Sequence, residues 1–64
     1  MRLKELRTEK GTTQKEVAEF IGCSSTVYAR YERGQREIPV SMVIKLATLY
    51  KTSTDYILGL TDKR

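Results

Sequence analysis

The chain has no histidine, one cysteine and one proline in 64 residues. Each scarcity excludes something. Without histidine, and with no glycine-rich loop to cradle a phosphate, the catalytic constellations of hydrolases, transferases and nucleotide-binding enzymes are missing, so the chain is read as not an enzyme. A lone Cys23 cannot form an internal disulfide, and no cysteine or histidine cluster offers a metal or cofactor a set of ligands. A reducing, cytoplasmic setting is therefore expected. No apolar run approaches the roughly 20 residues of a membrane span, and the opening Met1-Arg2-Leu3-Lys4-Glu5 does not read as a signal peptide. A domain of about 60 residues buries only about 60% of its unfolded surface, which leaves no room for a deep cleft beside the core.

What the chain does have is charge and punctuation. Twelve basic residues against eight acidic ones give a net charge of +4. The arginines at 30, 33 and 36 concentrate the basic weight on one short stretch, whereas Glu5, Glu9, Glu16 and Glu19 lie earlier. A basic stretch of this kind is compatible with nucleic acid. Glu5 and Glu9 lie one helical turn apart in a charged background, and solvation accounts for them.

The glycines mark helix ends. Leu3 and Leu6 fall on a helical segment from Arg2 to Lys10 that stops at Gly11. Thr13-Gln14-Lys15-Glu16 is a capping box, and Val17, Ala18 and Ile21 then recur at helical spacing until Gly22. Ser24 caps a third segment in which Tyr28 and Tyr31 share a face, and Gly34 ends it. After the loop Gln35-Arg36-Glu37-Ile38, Pro39 is expected at a first helical position. Val40, Val43, Ile44 and Ala47 form one apolar stripe of this fourth helix, and Met42, Leu46 and Leu49 form another. Thr52 or Ser53 caps a short last helix carrying Tyr56, Ile57 and Leu58, closed by Gly59. No alternating pattern supports a sheet. The expected fold is all-α, five short helices in one domain over residues 1–64.

Two of these helices, joined across Gly22-Cys23-Ser24, have the layout of a helix-turn-helix over residues 13–33. The segments RLKELR, TQKEVAEFIG, ARYERG and DYILGLTD together resemble the lambda-repressor-like (Cro/repressor, XRE-type) helix-turn-helix family, across about residues 2–60. The resemblance implies a compact five-helix domain that binds a palindromic double-stranded DNA operator as a homodimer, mostly in repressors of phage, plasmid and bacterial origin. Its recognition helix would span residues 24–33.

Carried over by position, the resemblance assigns Gln14 to a backbone phosphate and to buttressing the recognition helix. It assigns Ser25, Thr26 and Arg30 to base edges, with a phosphate contact left open for Arg30. Arg33, Gly34, Gln35 and Arg36 are assigned to a loop along the phosphates, with the backbone N–H groups of Gly34 and Gln35 acting as free donors beside the exposed arginines. Arg7 and Glu32 match a buried structural ion pair. Tyr28 stands where an aliphatic core residue is usual, so its ring is expected in the core with the hydroxyl toward the surface. Val27 is left between a thymine methyl and the edge of the core. Cys23 is expected as a small buried hydrophobe, and Phe20 is left between an exposed ring and padding for the first helix. Met42, Leu46, Leu49 and Leu60 exceed one core face and are the expected dimer interface, with ordinary core packing as the alternative. An additional protein partner, or a further C-terminal domain after LTDKR, stays open.

Overall fold

The computed structural model describes all residues, Met1–Arg64, as five helices: α1 (Leu3–Lys10), α2 (Gln14–Ile21), α3 (Ser25–Glu32), α4 (Val40–Tyr50) and α5 (Thr54–Leu58). None is long and apolar enough to cross a membrane. Local chemistry sets the boundaries. The Thr13 hydroxyl accepts from the Glu16 N–H at 3.1 Å while the Glu16 carboxylate accepts from the Thr13 N–H at 3.1 Å, which satisfies two otherwise orphaned donors at the start of α2. Ser24 and Ser53 cap α3 and α5 by accepting from the Val27 and Tyr56 N–H groups. Between α2 and α3 the chain must reverse in three residues, and Gly22 does so at φ 84°, a left-handed conformation that a side chain would strain.

The core is a single cluster to which every helix contributes, centred on Leu3, Val17, Ile21, Tyr28, Leu46 and Ile57. It also takes Ile38 from the connecting loop, a residue whose burial no helical periodicity could signal. Packing between α2 and α3 and between α4 and α5 dominates the contacts, so α3 is held mainly by the helix before it.

Several expectations change here. Leu46, expected on a pairing surface, is wholly buried, and Met42 and Leu49 pack partly buried against the core. Conversely Val40 and Ile44, expected on a core stripe, are 74% and 54% exposed. The cause is that α4 is apolar nearly all round, and α2 and α5 cover the line through Val43, Leu46 and Ala47 rather than its neighbour. Pro39 is the N-cap, with ψ 145°, and not the first helical residue. Tyr28 is buried entire, its hydroxyl included, so no part of it reaches the surface. Cys23 is only half-buried, at the edge of the core. Phe20 is an exposed ring.

Candidate nucleic-acid interface

Helix α3, the second helix of the helix-turn-helix, has two unlike sides. Its inner side carries Tyr28 and Tyr31 into the core and ends on Glu32. Arg7 of α1 donates from Nε to Glu32 Oε2 at 2.7 Å and from Nη1 to the Thr12 carbonyl at 3.0 Å. Gln14, at the start of α2, donates from Nε2 to Glu32 Oε1 at 3.1 Å. One carboxylate thus ties α1 and α2 to the end of α3. The side chains of Arg7 and Glu32 are 16% and 4% exposed. At that burial, breaking the pair strands a charge in a poorly hydrated site. Burial pushes the Glu32 carboxyl up, but hydrogen bonds from Arg7 and Gln14 outweigh it and hold it below the ordinary carboxylate value. The hydrogen bond to Glu32 keeps the Arg7 guanidinium above its usual value.

The outer side is bare. Ser25, Thr26 and Arg30 are exposed, and so are Arg33, Gly34, Gln35 and Arg36. None of the three arginines forms an ion pair within the chain. Ser25 and Thr26 are adjacent in the first turn of α3 and Arg30 lies one helical turn beyond Thr26, all three exposed, and the exposed Arg33 and Arg36 follow at the end of the helix and in the loop. Val27 lies partly buried against the core, which leaves its packing face inward.

The loop departs from expectation in one respect. The Gly34 and Gln35 amides are not free: they donate to the Tyr31 carbonyl at 3.2 Å and the Arg30 carbonyl at 2.9 Å, closing α3 in the paired pattern that a left-handed residue at φ 72° permits. Gly34 is thereby a helix terminator, and only the Gln35 side chain remains to meet a ligand. The free backbone donors lie elsewhere. The Gln14 and Lys15 N–H groups in the first turn of α2 have no acceptor in the protein, and neither have those of Arg36 and Glu37. Lys15, exposed between two capping residues, is the addition that sequence reasoning missed; its only signal was a basic residue inside a capping box.

Cys23 in the turn offers no reactive thiolate, because burial pushes its thiol up. The cationic guanidinium of Arg2 stacks on Tyr56 at 4.2 Å and donates to the Tyr56 and Thr61 carbonyls and to Asp62, fastening the two ends of the chain together. Arg64 adds a bidentate pair with Glu9 at 2.7 and 2.6 Å, which binds a carboxylate expected to be merely solvated. On another side, a groove of about 620 Å³ runs from the loop after α3 along α4 to α5, with Met1, Arg36, Ile38, Val40, Ile44 and Leu58 along it. Leu60 stands 74% exposed outside this groove.

Comparison with known proteins gives this geometry a lineage. The helix-turn-helix family profile matches residues 3–57. The chain is 45% identical over 58 residues to the HTH-type transcriptional regulator ImmR of Bacillus subtilis (strain 168), covering 91% of this chain and 46% of that protein. It is 43% identical over 61 residues to the uncharacterized HTH-type transcriptional regulator YobD of the same organism, covering 95% and 54%. A third relative there, the SPbeta prophage-derived uncharacterized HTH-type transcriptional regulator YonR, is 39% identical over 57 residues, covering 89% and 53%. The chain thus spans about half the length of the curated relatives it matches. No solved structure gives a significant match. With five helices, a glycine-hinged turn between the second and third, and a profile match over most of its length, the chain belongs to the helix-turn-helix family, in the XRE-type (Cro/repressor) group.

Proposed function

We propose that the chain is a sequence-specific, double-stranded-DNA-binding transcriptional regulator of the repressor kind, acting in the cytoplasm as a homodimer on a palindromic operator. The observation that carries this reading is the contrast across α3: an inner side locked by Glu32 and an outer side whose polar groups have no partner. α3 enters the major groove. Arg30 pairs with guanine O6 and N7, an interaction worth about 1–3 kcal/mol of discrimination. Ser25 and Thr26 add hydroxyl contacts of low selectivity, and the Thr26 methyl reaches a thymine methyl.

Phosphate contacts set the register without reading sequence. The second amide hydrogen of Gln14, the Gln14 and Lys15 N–H groups, Arg33, the Gln35 side chain and Arg36 supply them. Release of counterions from these phosphates makes binding steeply salt-dependent. The names of the relatives, transcriptional regulators of which one is prophage-derived, point the same way.

The second copy is taken up by the groove along Val40, Ile44 and Leu58, in place of the Leu46 face that the core occupies. Two features favour a like partner. Arg36 and Glu37 both lie along the groove, so each copy offers a charge to the opposite charge of the other about a two-fold axis. The groove is also continuous with the loop holding Arg36, so a partner seated there faces the same duplex. A patch this small falls at the weak end of protein interfaces, and pairing is driven by occupation of two half-sites about 34–36 Å apart.

Selection from a random-sequence DNA pool, followed by binding to the winner at two salt concentrations, tests the reading. A recovered palindrome with a steep salt slope supports it, and weak, sequence-indifferent binding refutes it. Ile44→Asp is expected to abolish the advantage of the palindrome over a single half-site while half-site binding stays intact.

A further inference from the structure

A second cavity, of about 240 Å³, lies between the second half of α1 and the end of α4. It shares no residue with the groove along Val40 and Ile44. Its walls mix two chemistries. Leu6, Leu49 and Tyr50 give it an apolar surface, being either part of the core or packed against it. Around them stand Lys10, Lys51 and Arg64, with Glu9 the one acid. Glu9 is already taken, because Arg64 holds both of its oxygens at 2.7 and 2.6 Å. Lys10 and Lys51 are exposed and belong to no ion pair. The cavity therefore keeps two unpaired cations on its rim and no free acidic side chain.

One of these cations sits on a backbone that lysine disfavours. Lys51 closes α4 at φ 52° and ψ 49°, in the left-handed region, and is the only residue other than glycine with a positive φ. At the ends of α1, α2 and α5 the same conformation falls to glycine. A side chain kept where its backbone is strained points to a use for that side chain, and such outliers cluster at ligand sites. An apolar surface with a few charged groups is also the ordinary make-up of a small-molecule site. We propose that this cavity binds a small organic anion, a phosphate or carboxylate carried on an apolar body. The acid group lies between the Lys10 and Lys51 ammonium groups, each a point charge suited to its oxygens. The body lies against Leu6, Leu49 and Tyr50. The volume is below the range of about 300–1,000 Å³ that drug-sized ligands occupy, so that body is a single ring or a short chain. A duplex backbone fits less well, since it brings phosphates but nothing apolar to fill the cavity, and neither lysine belongs to α3 or to the loop after it.

Titration of the protein with phenyl phosphate at constant ionic strength, followed by amide chemical shifts, tests the proposal. Saturable shifts centred on the ends of α1 and α4 are expected. Benzyl alcohol, which keeps the ring without the charge, and inorganic phosphate, which keeps the charge without the ring, should each bind several-fold more weakly. Lys51→Gly removes one cation and at the same time relieves the left-handed backbone, so the fold is kept. Its affinity for phenyl phosphate is expected to fall several-fold, and that of Lys10→Gln likewise. Shifts that do not saturate, or that centre on α3 and its loop, overturn the site, and so does wild-type affinity in Lys51→Gly. Benzyl alcohol binding as tightly as phenyl phosphate overturns the role of the acid group, and inorganic phosphate doing so overturns that of the apolar body. Displacement of the probe by random-sequence duplex, with the duplex shifting the same amides, would assign the two lysines to the DNA backbone and overturn the small-ligand site.

Discussion

The six arginines divide into two groups that differ in everything but charge. Arg2, Arg7 and Arg64 are each bound by a carboxylate of the same chain, at 2.7, 2.7 and 2.6 Å. Arg30, Arg33 and Arg36 are bound by none, although Glu37 lies next to the last of them in sequence. The first group fastens helices and chain ends to one another. The second lies along the end of α3 and its loop, on the edge that the core leaves uncovered. A folded chain that pairs three arginines internally and leaves three aligned and unpaired has separated the charge that holds it together from the charge it presents to a partner.

Each prediction acts on one side of that division. The largest effect belongs to Arg7→Met, which leaves Glu32 buried and unpaired and is expected to lower unfolding free energy by about 3–5 kcal/mol, read from urea denaturation. A loss within measurement error would place Arg7 with the surface arginines instead. The same pair responds to acid. Because Glu32 titrates below the ordinary carboxylate value in the folded state, its contribution is complete above that value and is lost as pH falls through the depressed one. Stability should therefore fall on acidification below about pH 4.5, the ordinary carboxylate value, and fall less in Glu32→Gln, whose denaturation midpoint is lower throughout.

On the other side, Arg30→Ala is expected to leave the unfolding midpoint unchanged and to relax preference at one guanine by about 1–3 kcal/mol, measured with operators substituted base by base. Arg36→Ala should weaken all DNA sequences alike and reduce the salt slope by about one. A change in base preference on replacing Arg36 would blur the distinction between reading and anchoring. The smallest effect is that of Arg64→Ala. Despite two short bonds to Glu9, both side chains are half-exposed, so thermal melting is expected to show no measurable shift.

Much of this arrangement can be read from the letters of the chain. The capping box at Thr13–Glu16, the serines at 24 and 53 and the glycines at 11, 22 and 59 place helix ends because each supplies a bond or a dihedral that the backbone needs locally. What stays hidden depends on which surfaces meet. α4 carries apolar residues on adjoining faces, both with helical period, and only packing against α2 and α5 decides that Leu46 goes in while Val40 and Ile44 stay out. Ile38 enters the core from a loop, where no period exists to announce it. The Gly34 and Gln35 amides look available in sequence because a loop follows a helix there; the helix itself takes them back. The exposure of Arg30 and its neighbours is legible from spacing, but their lack of internal partners appears only when the whole surface is known.

The fastening of the chain ends also bears on how the molecule opens. The Arg2 N–H donates to the Ile57 carbonyl at 2.9 Å, joining the entry of α1 to α5. A helix of five residues cannot persist in water by itself, so α5 is formed only while it is held to the rest. Opening at that bond releases α5 and uncovers Leu3 and Ile57 together, two of the most deeply buried side chains. In amide exchange the second residue of the chain, a place where rapid fraying is the rule, should therefore be protected to the same degree as the amides of α5, both exchanging through one shared opening.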